Sequence, residues 1–196
     1  MENKLNKKKR LLVGMSGSSG AIVGIKLLEI MRDFPEWETH LVISKGAELT
    51  IHDETEYTLE EVKSLAYRVY DINNIGESIA SGTFKTEGMV IIPCSMKTAA
   101  GISCGYSDNL LLRAADVTIK EGRKLIVVAR ESPLSVIHLK NMLALAQAGV
   151  IIMPPVVTYY NKPLSIEDMN RQIIARILDK FDIEVAGFKR WGEDMK

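Results

Sequence analysis

The sequence predicts a single three-layer α/β domain built on a doubly wound, mainly parallel sheet. Two observations carry this expectation. Short apolar runs bounded by glycine, serine or proline recur at residues 11–13, 38–43, 88–93, 124–129 and 150–153, and near-continuous apolar runs such as GMVIIP and KLIVVA suit strands buried on both faces of a parallel sheet. Between the runs lie stretches whose apolar residues recur at helical spacing, with no internal repeat or low-complexity linker.

Each element follows from its residues. Leu11, Leu12 and Val13 form the first strand, and GMSGSSGA then places Gly14, Gly17 and Gly20 among Ser16, Ser18 and Ser19. Glycines let backbone amides approach an anion without a Cβ in the way, and the serines add hydroxyl donors. From Ala21 the apolar positions Ile22, Ile25, Leu28 and Met31 define a helix whose N-terminus faces this loop, a ready site for phosphate. The loop is neither G-x-G-x-x-G nor a P-loop with Gly-Lys-Ser/Thr. Residues 33–35 break the pattern before the second strand at 38–43, which ends at Ser44-Lys45-Gly46. A helix follows to Glu54, and Thr58 with Glu61 makes a capping box for another expected to run to about Arg68. The third buried strand, 88–93, leads into Cys94-Ser95-Met96-Lys97-Thr98. A helix from Ser107-Asp108 closes at Lys120-Glu121-Gly122. The strand 124–129 ends at Arg130-Glu131, residues 135–148 are helical, and a last strand at 150–153 precedes Pro154-Pro155 and Tyr159-Tyr160. Ser165 with Asp168 opens the final amphipathic helix. The count is about five strands, each followed by helix.

Composition narrows the function. At 196 residues, 46% hydrophobic, the chain can bury one substantial core. Its 25 basic and 25 acidic residues balance, so no electrostatic footprint points to nucleic acid or an anionic membrane. No span reaches membrane length, and the basic cluster 7–10 reads as a solvated lead-in rather than a signal peptide. Cys94 and Cys104 make neither a metal pattern nor a disulfide framework, which fits a reducing cytoplasm, and His40, His52 and His138 lack metal spacing. The expected organisation is a lead-in over 1–9, one domain over 10–185 and a tail over 186–196.

In a doubly wound sheet, ligands bind outside the carboxyl ends of the strands. Those ends carry Gly17-Ser18-Ser19, Ser44-Lys45, Ser95 to Thr98, Arg130-Glu131 and Tyr159-Tyr160, a set rich in hydroxyls and cations. Local reading leaves bland alternatives open. Ser95 can be a helix N-cap, Arg130-Glu131 a rim salt bridge, Glu54 part of a solvated acidic cluster, Arg176 a snorkelling surface arginine and Cys94 a core thiol.

The segments GMSGSSGA, THLVISK, GMVIIPCSMKT, LLLRAADVTIKE, VVARESPLS and VIIMPPVVTYYNKP, in that order, resemble the UbiX flavin prenyltransferase family over about residues 10–180. The resemblance implies a Rossmann- or flavodoxin-like domain. It also implies a metal-independent enzyme that joins the dimethylallyl group of dimethylallyl phosphate to N5 and C6 of reduced FMN, making prenylated FMN for UbiD-type decarboxylases. Carried over by position, it assigns Gly17, Ser18, Ser19, Ser44, Ser95, Met96, Lys97, Thr98 and Arg130 to the flavin nucleotide. Lys120, Arg130, Glu131, Tyr160 and Arg176 would surround the prenyl phosphate, and Glu54, Ser19 and Glu131 would be catalytic. Phe84 and Trp191 are candidate aromatic walls. A homo-oligomer, commonly a dodecamer with sites shared between subunits, is implied as well. The alternatives are an FMN-dependent cysteine-type decarboxylase and a non-catalytic FMN-binding subunit of a phenolic-acid decarboxylase. PCSMKTAA, with no histidine at a comparable place after the second strand except His52, weighs against the first. The retained Glu54, Lys120, Arg130, Glu131, Tyr160 and Arg176 weigh against the second.

Overall fold

A computed structural model describes residues 8–192, so residues 1–7 of the lead-in and residues 193–196 of the tail lie outside the described residues. Six parallel strands form one sheet in the order β3-β2-β1-β4-β5-β6. They are β1 (Lys9–Met15), β2 (Trp37–Ile43), β3 (Arg68–Tyr70), β4 (Gly88–Cys94), β5 (Lys124–Ala129) and β6 (Ile151–Ile152). The helices are α1 (Ala21–Met31), α2 (Lys45–Glu54), α3 (Leu59–Ser64), α4 (Met96–Ser103), α5 (Leu110–Lys120), α6 (Val136–Gln147) and α7 (Ile166–Leu178). This is the doubly wound α/β architecture with the Rossmann-type strand order, and the order reverses between β1 and β4.

The strands are apolar on both faces because helices cover both. Leu11, Val13 and Met15 of β1, Val90 and Ile92 of β4, and Ile126 and Val128 of β5 pack with α1 and α7. Their alternating neighbours Leu12, Met89, Ile91, Leu125 and Val127 pack with α4 and α5. Gly24 lets α1 lie directly on the sheet, since a Cβ there would stand 2.5 Å from the Ile92 carbonyl oxygen.

Two sequence expectations are corrected. The helix opened by the Thr58–Glu61 capping box ends at Ser64, and Arg68–Tyr70 is a sixth strand pairing with His40–Val42 of β2. Three residues at an edge, with two of them exposed, leave no apolar run to read. The helix expected from Ser107-Asp108 starts at Leu110, because the Asn109 side chain is the one that accepts the Leu112 amide.

The described part of the tail docks on α7. Gln172 donates to the Lys189 carbonyl and accepts the Lys189 amide, and Arg171 donates to the Ala186 carbonyl.

A polar cluster occupies the β1–β2–β3 region. His40 is 3% exposed, and its Nδ1 lies 2.7 Å from the Tyr70 hydroxyl. Among the described residues its Nε2 has no hydrogen-bond partner, with Glu38 at 3.7 Å. Phe84 stacks edge-on to this imidazole at 5.4 Å and lies 4.5 Å under the Arg10 guanidinium. Phe84 therefore belongs to the packing around the starts of β1 and β2.

Candidate functional site

The carboxyl ends of the central strands are laced together by backbone bonds. Ser44 N donates to Met15 O, Ser16 N to Pro93 O, and Arg130 N to Cys94 O, at 2.9, 3.1 and 3.1 Å. The side chain of Ser16 closes the switch point itself. It is buried, accepts the Ser95 amide at 2.8 Å and reaches the Pro93 carbonyl at 3.2 Å. Of the three loop serines, Ser16 is thus committed to holding β1 against β4.

Three helices start along this edge. Ser44 caps α2 by accepting the Ala47 amide, and Ser95 caps α4 by accepting the Thr98 amide while bonding the Thr98 hydroxyl at 3.1 Å. The N-cap of α1 is Gly20, at φ 100°, with no side chain to serve. Glu54, the last residue of α2, supplies the missing cap: its Oε2 accepts the Gly20 and Ala21 amides at 2.8 and 3.4 Å. Converging N-termini concentrate amide donors and the positive ends of helix dipoles. Exposed Lys45, Lys97 and Arg130 add charge of the same sign.

The two loops approach each other more closely than side chains permit. A Cβ on Gly17 would lie 2.8 Å from both the Cα and the carbonyl carbon of Gly46. The result is a narrow cradle whose walls are bare backbone, suited to a flat ligand with an anionic group. Gly46 was not singled out in the sequence, since its role depends on a residue 29 positions away.

Gly17, Ser18, Ser19, Ser44, Ser95, Met96, Lys97, Thr98, Arg130, Glu131 and Glu54 all fall on this edge. Ser18 donates to the Arg130 carbonyl at 2.8 Å, and Glu131 accepts the Ser132 amide at 3.0 Å. Cys94, fully buried at the end of β4, is no nucleophile: burial pushes its thiol up to about 12.

The remaining residues lie elsewhere in the same chain. Lys120 ends α5, just before β5 begins, and pairs with Glu121. That is the amino end of the sheet, opposite the cradle. Arg176 is exposed on α7, in a cleft of about 490 Å³ along β6 lined by Ile151, Ile152, Met153, Val156 and Ile173, with Lys180 beside it. β1 and β6 are three strand spacings apart, about 14 Å. Tyr160 is half-buried, its hydroxyl 3.2 Å from Gln172 Nε2 and its ring edge-on to Trp191 at 5.5 Å. One chain therefore assembles the cradle and, separately, an apolar cleft bearing a cation.

Fold and cradle together define a doubly wound α/β protein built to hold an anionic, nucleotide-like ligand at its switch point. Residues 1–183 match the family model described as Flavoprotein. The flavin prenyltransferase UbiX of Escherichia coli (strain K12) is 49% identical over 185 residues, covering 93% of this chain and 98% of that relative. The chain belongs to the flavoprotein family, among its UbiX-like flavin prenyltransferases. A crystal structure of AnUbiX (PadA1) in complex with FMN and dimethylallyl pyrophosphate superimposes with a TM-score of 0.92. It is 48% identical, covering 94% of this chain and 98% of that one. A dodecameric FMN-dependent UbiX-like decarboxylase from Escherichia coli O157:H7 superimposes with a TM-score of 0.91 at 49% identity, covering 93% and 98%.

Proposed function

We propose that this chain is a flavin prenyltransferase that transfers the dimethylallyl group of dimethylallyl phosphate to N5 and C6 of reduced FMN. The observation that carries the reading is the pairing of a bare-backbone anion cradle at the switch point with a separate apolar cleft bearing Arg176. The first suits a flavin nucleotide, and the second suits a short branched hydrocarbon attached to phosphate. The complex of the 48% identical PadA1 with FMN and dimethylallyl pyrophosphate supports the two kinds of ligand.

In this reading Gly17, Ser18, Ser19, Ser44, Ser95 to Thr98 and Arg130 hold the flavin nucleotide. Their amides and hydroxyls are pre-aimed by the lacing of β1, β2, β4 and β5, so little ordering is needed on binding. Breaking the allylic C–O bond leaves charge on the departing phosphate, which Arg176, Arg130, Lys120 and Tyr160 stabilise. The flavin face and neighbouring rings stabilise the allylic cation. N5 gives up a proton as the first bond forms. The C=C of the N5-bound group then takes up a proton, the tertiary carbon so made bonds C6, and C6 gives up its proton, for a net loss of one proton to the released phosphate. Glu54 stands beside the cradle to carry these protons, with Ser19 and Glu131 assisting.

Lys120 sits at the amino end of its own sheet and Arg176 in the cleft along β6, so a homo-oligomer brings these cations to a cradle. The dodecameric UbiX-like relative supports this. So does α6, where Val136, Ile137, Leu139 and Leu143 are all at least 50% exposed. A UbiD-type decarboxylase is the recipient of the product, and the cytoplasm is the compartment. Among the described residues no helix is long and apolar enough to cross a membrane. Residues 10–185 form the catalytic domain, preceded by the lead-in 1–9 and followed by the tail 186–196.

The test is anaerobic incubation with reduced FMN and dimethylallyl phosphate, followed by mass spectrometry of the flavin. A flavin heavier by one five-carbon unit is expected. Unchanged flavin recovered from FMN-loaded protein would refute the reading.

A further inference from the structure

Glu54 meets the α1 N-terminus at the very end of its own helix, where a chain is least constrained. What fixes it comes three residues later. Thr55 closes α2 twice, its amide and its hydroxyl both donating to the Ile51 carbonyl, at 3.2 and 2.7 Å. The Tyr57 amide donates back to Thr55 Oγ1 at 3.2 Å. The Tyr57 hydroxyl then donates to Glu29 Oε1 at 2.6 Å, and Lys26 donates to Glu29 Oε2 at 2.8 Å and lies 3.3 Å from that hydroxyl.

Lys26 and Glu29 belong to α1, the helix whose first amides Glu54 caps. Residues 54–57 are therefore tied to one rigid helix at two places. Gly20 and Lys26 are six residues apart on it, about 9 Å along its axis. An i,i+3 ion pair on a helix surface forms without help from another element. The informative piece is the tyrosine, brought from the far side of the turn to lie on that pair.

We propose that Tyr57 is a positioning residue for Glu54: anchored to Glu29 and Lys26, it fixes the end of α2 on α1 and so aims the Glu54 carboxylate at the Gly20 edge of the cradle. The clamp keeps its charges over the working pH range. The hydrogen bond to Glu29 raises the Tyr57 phenol and holds Lys26 well above its ordinary value. Partial burial opposes ionisation of Glu29, but the bonds from Lys26 and Tyr57 prevail and keep its carboxyl below the usual range.

The proposal rests on the catalytic reading of Glu54, and a double-mutant cycle in the flavin-loaded, full-length protein separates the two. Tyr57→Phe keeps the ring's packing and removes the hydroxyl. It should lower kcat by about 10-fold, short of the roughly 100-fold that a misplacement of 1 Å can cost. FMN affinity and the KM for dimethylallyl phosphate should stay within about twofold. In a Glu54→Gln background the same change should remove less than about twofold, because the residue being aimed has already lost its function. Glu29→Gln, which leaves the phenol in place, should repeat the pattern. Equal losses in both backgrounds, or no loss in the Glu54 background, would overturn the positioning role alone. Wild-type turnover by Glu54→Gln would overturn the catalytic reading of Glu54 and the proposal with it.

Discussion

Substituting Gly17 by alanine probes how the cradle is built. The added Cβ would sit 2.8 Å from Gly46 Cα and C and 3.1 Å from its oxygen, whereas ordinary contact begins at 3.4 Å. The β1 loop and the start of α2 must therefore separate by about 0.6 Å, and no rotamer can relieve the clash because every atom met is backbone. Overpacking of this kind costs about 1–3 kcal/mol. That corresponds to a fall in melting temperature of roughly 2–12 °C for a chain of this length. Gly17, Ser18 and Ser19 lie on one side of the gap and Ser44 on the other, so FMN affinity should fall by roughly 5- to 150-fold if the same energy is felt on binding. The assays are flavin-fluorescence titration and thermal unfolding without ligand. Gly101→Ala is the control. Its Cβ meets only the flexible Leu112 side chain, at 3.1 Å, and it lies within α4. Gly17→Ala protein that binds FMN within about twofold of wild type and melts within about 1 °C of it would refute close loop approach as the basis of the cradle.

Other predictions concern single side chains. Glu54→Gln can still cap Gly20 through its amide oxygen, so FMN affinity should hold while turnover drops by about 100-fold or more, as loss of a positioned proton acceptor does; rapid-quench product analysis checks this. Arg176→Ala should raise the KM for dimethylallyl phosphate by about 10- to 100-fold, the equivalent of one lost charge-assisted hydrogen bond, with FMN binding unchanged by titration. His40 is held neutral chiefly by burial, helped by the Arg10 and Arg68 charges and opposed by Glu38, so its imidazole titrates below the ordinary value. The unfolded chain then takes up a proton first. The stability His40 contributes is complete above about pH 6.5 and is lost as pH falls toward its lower native value, with a slope of at most about 1.4 kcal/mol per pH unit. Urea unfolding across this range should give a flatter profile for His40→Gln, and parallel profiles would refute the account.

Much of this protein was legible in the residues alone. The buried runs at 88–93 and 124–129 identified a parallel sheet because a strand covered on both faces leaves no polar alternation. Capping boxes at Thr58–Glu61 and Ser165–Asp168 were readable because they close within four residues. Strand β3 was not, since three residues at an edge gain their strand conformation from β2 rather than from their own pattern.

The sequence by itself determined the α/β alternation, the glycine-serine loop and the kind of chemistry its strand ends can do, because these depend on local conformational freedom and on hydroxyl and cation inventory. Tertiary structure alone decided how those parts meet. Glu54 looked like one member of a solvated acidic cluster until the end of α2 was placed against a helix start with no cap of its own. Gly46 acquired its role only through Gly17, and Ser16 lost its freedom to serve a ligand only through Pro93 and Ser95. The family resemblance implies Lys120 and Arg176 as partners of one phosphate, yet the fold puts Lys120 at the amino end of the sheet and Arg176 in the cleft along β6. Contacts between residues far apart in the chain follow from strand order and helix packing, which no local window of residues specifies.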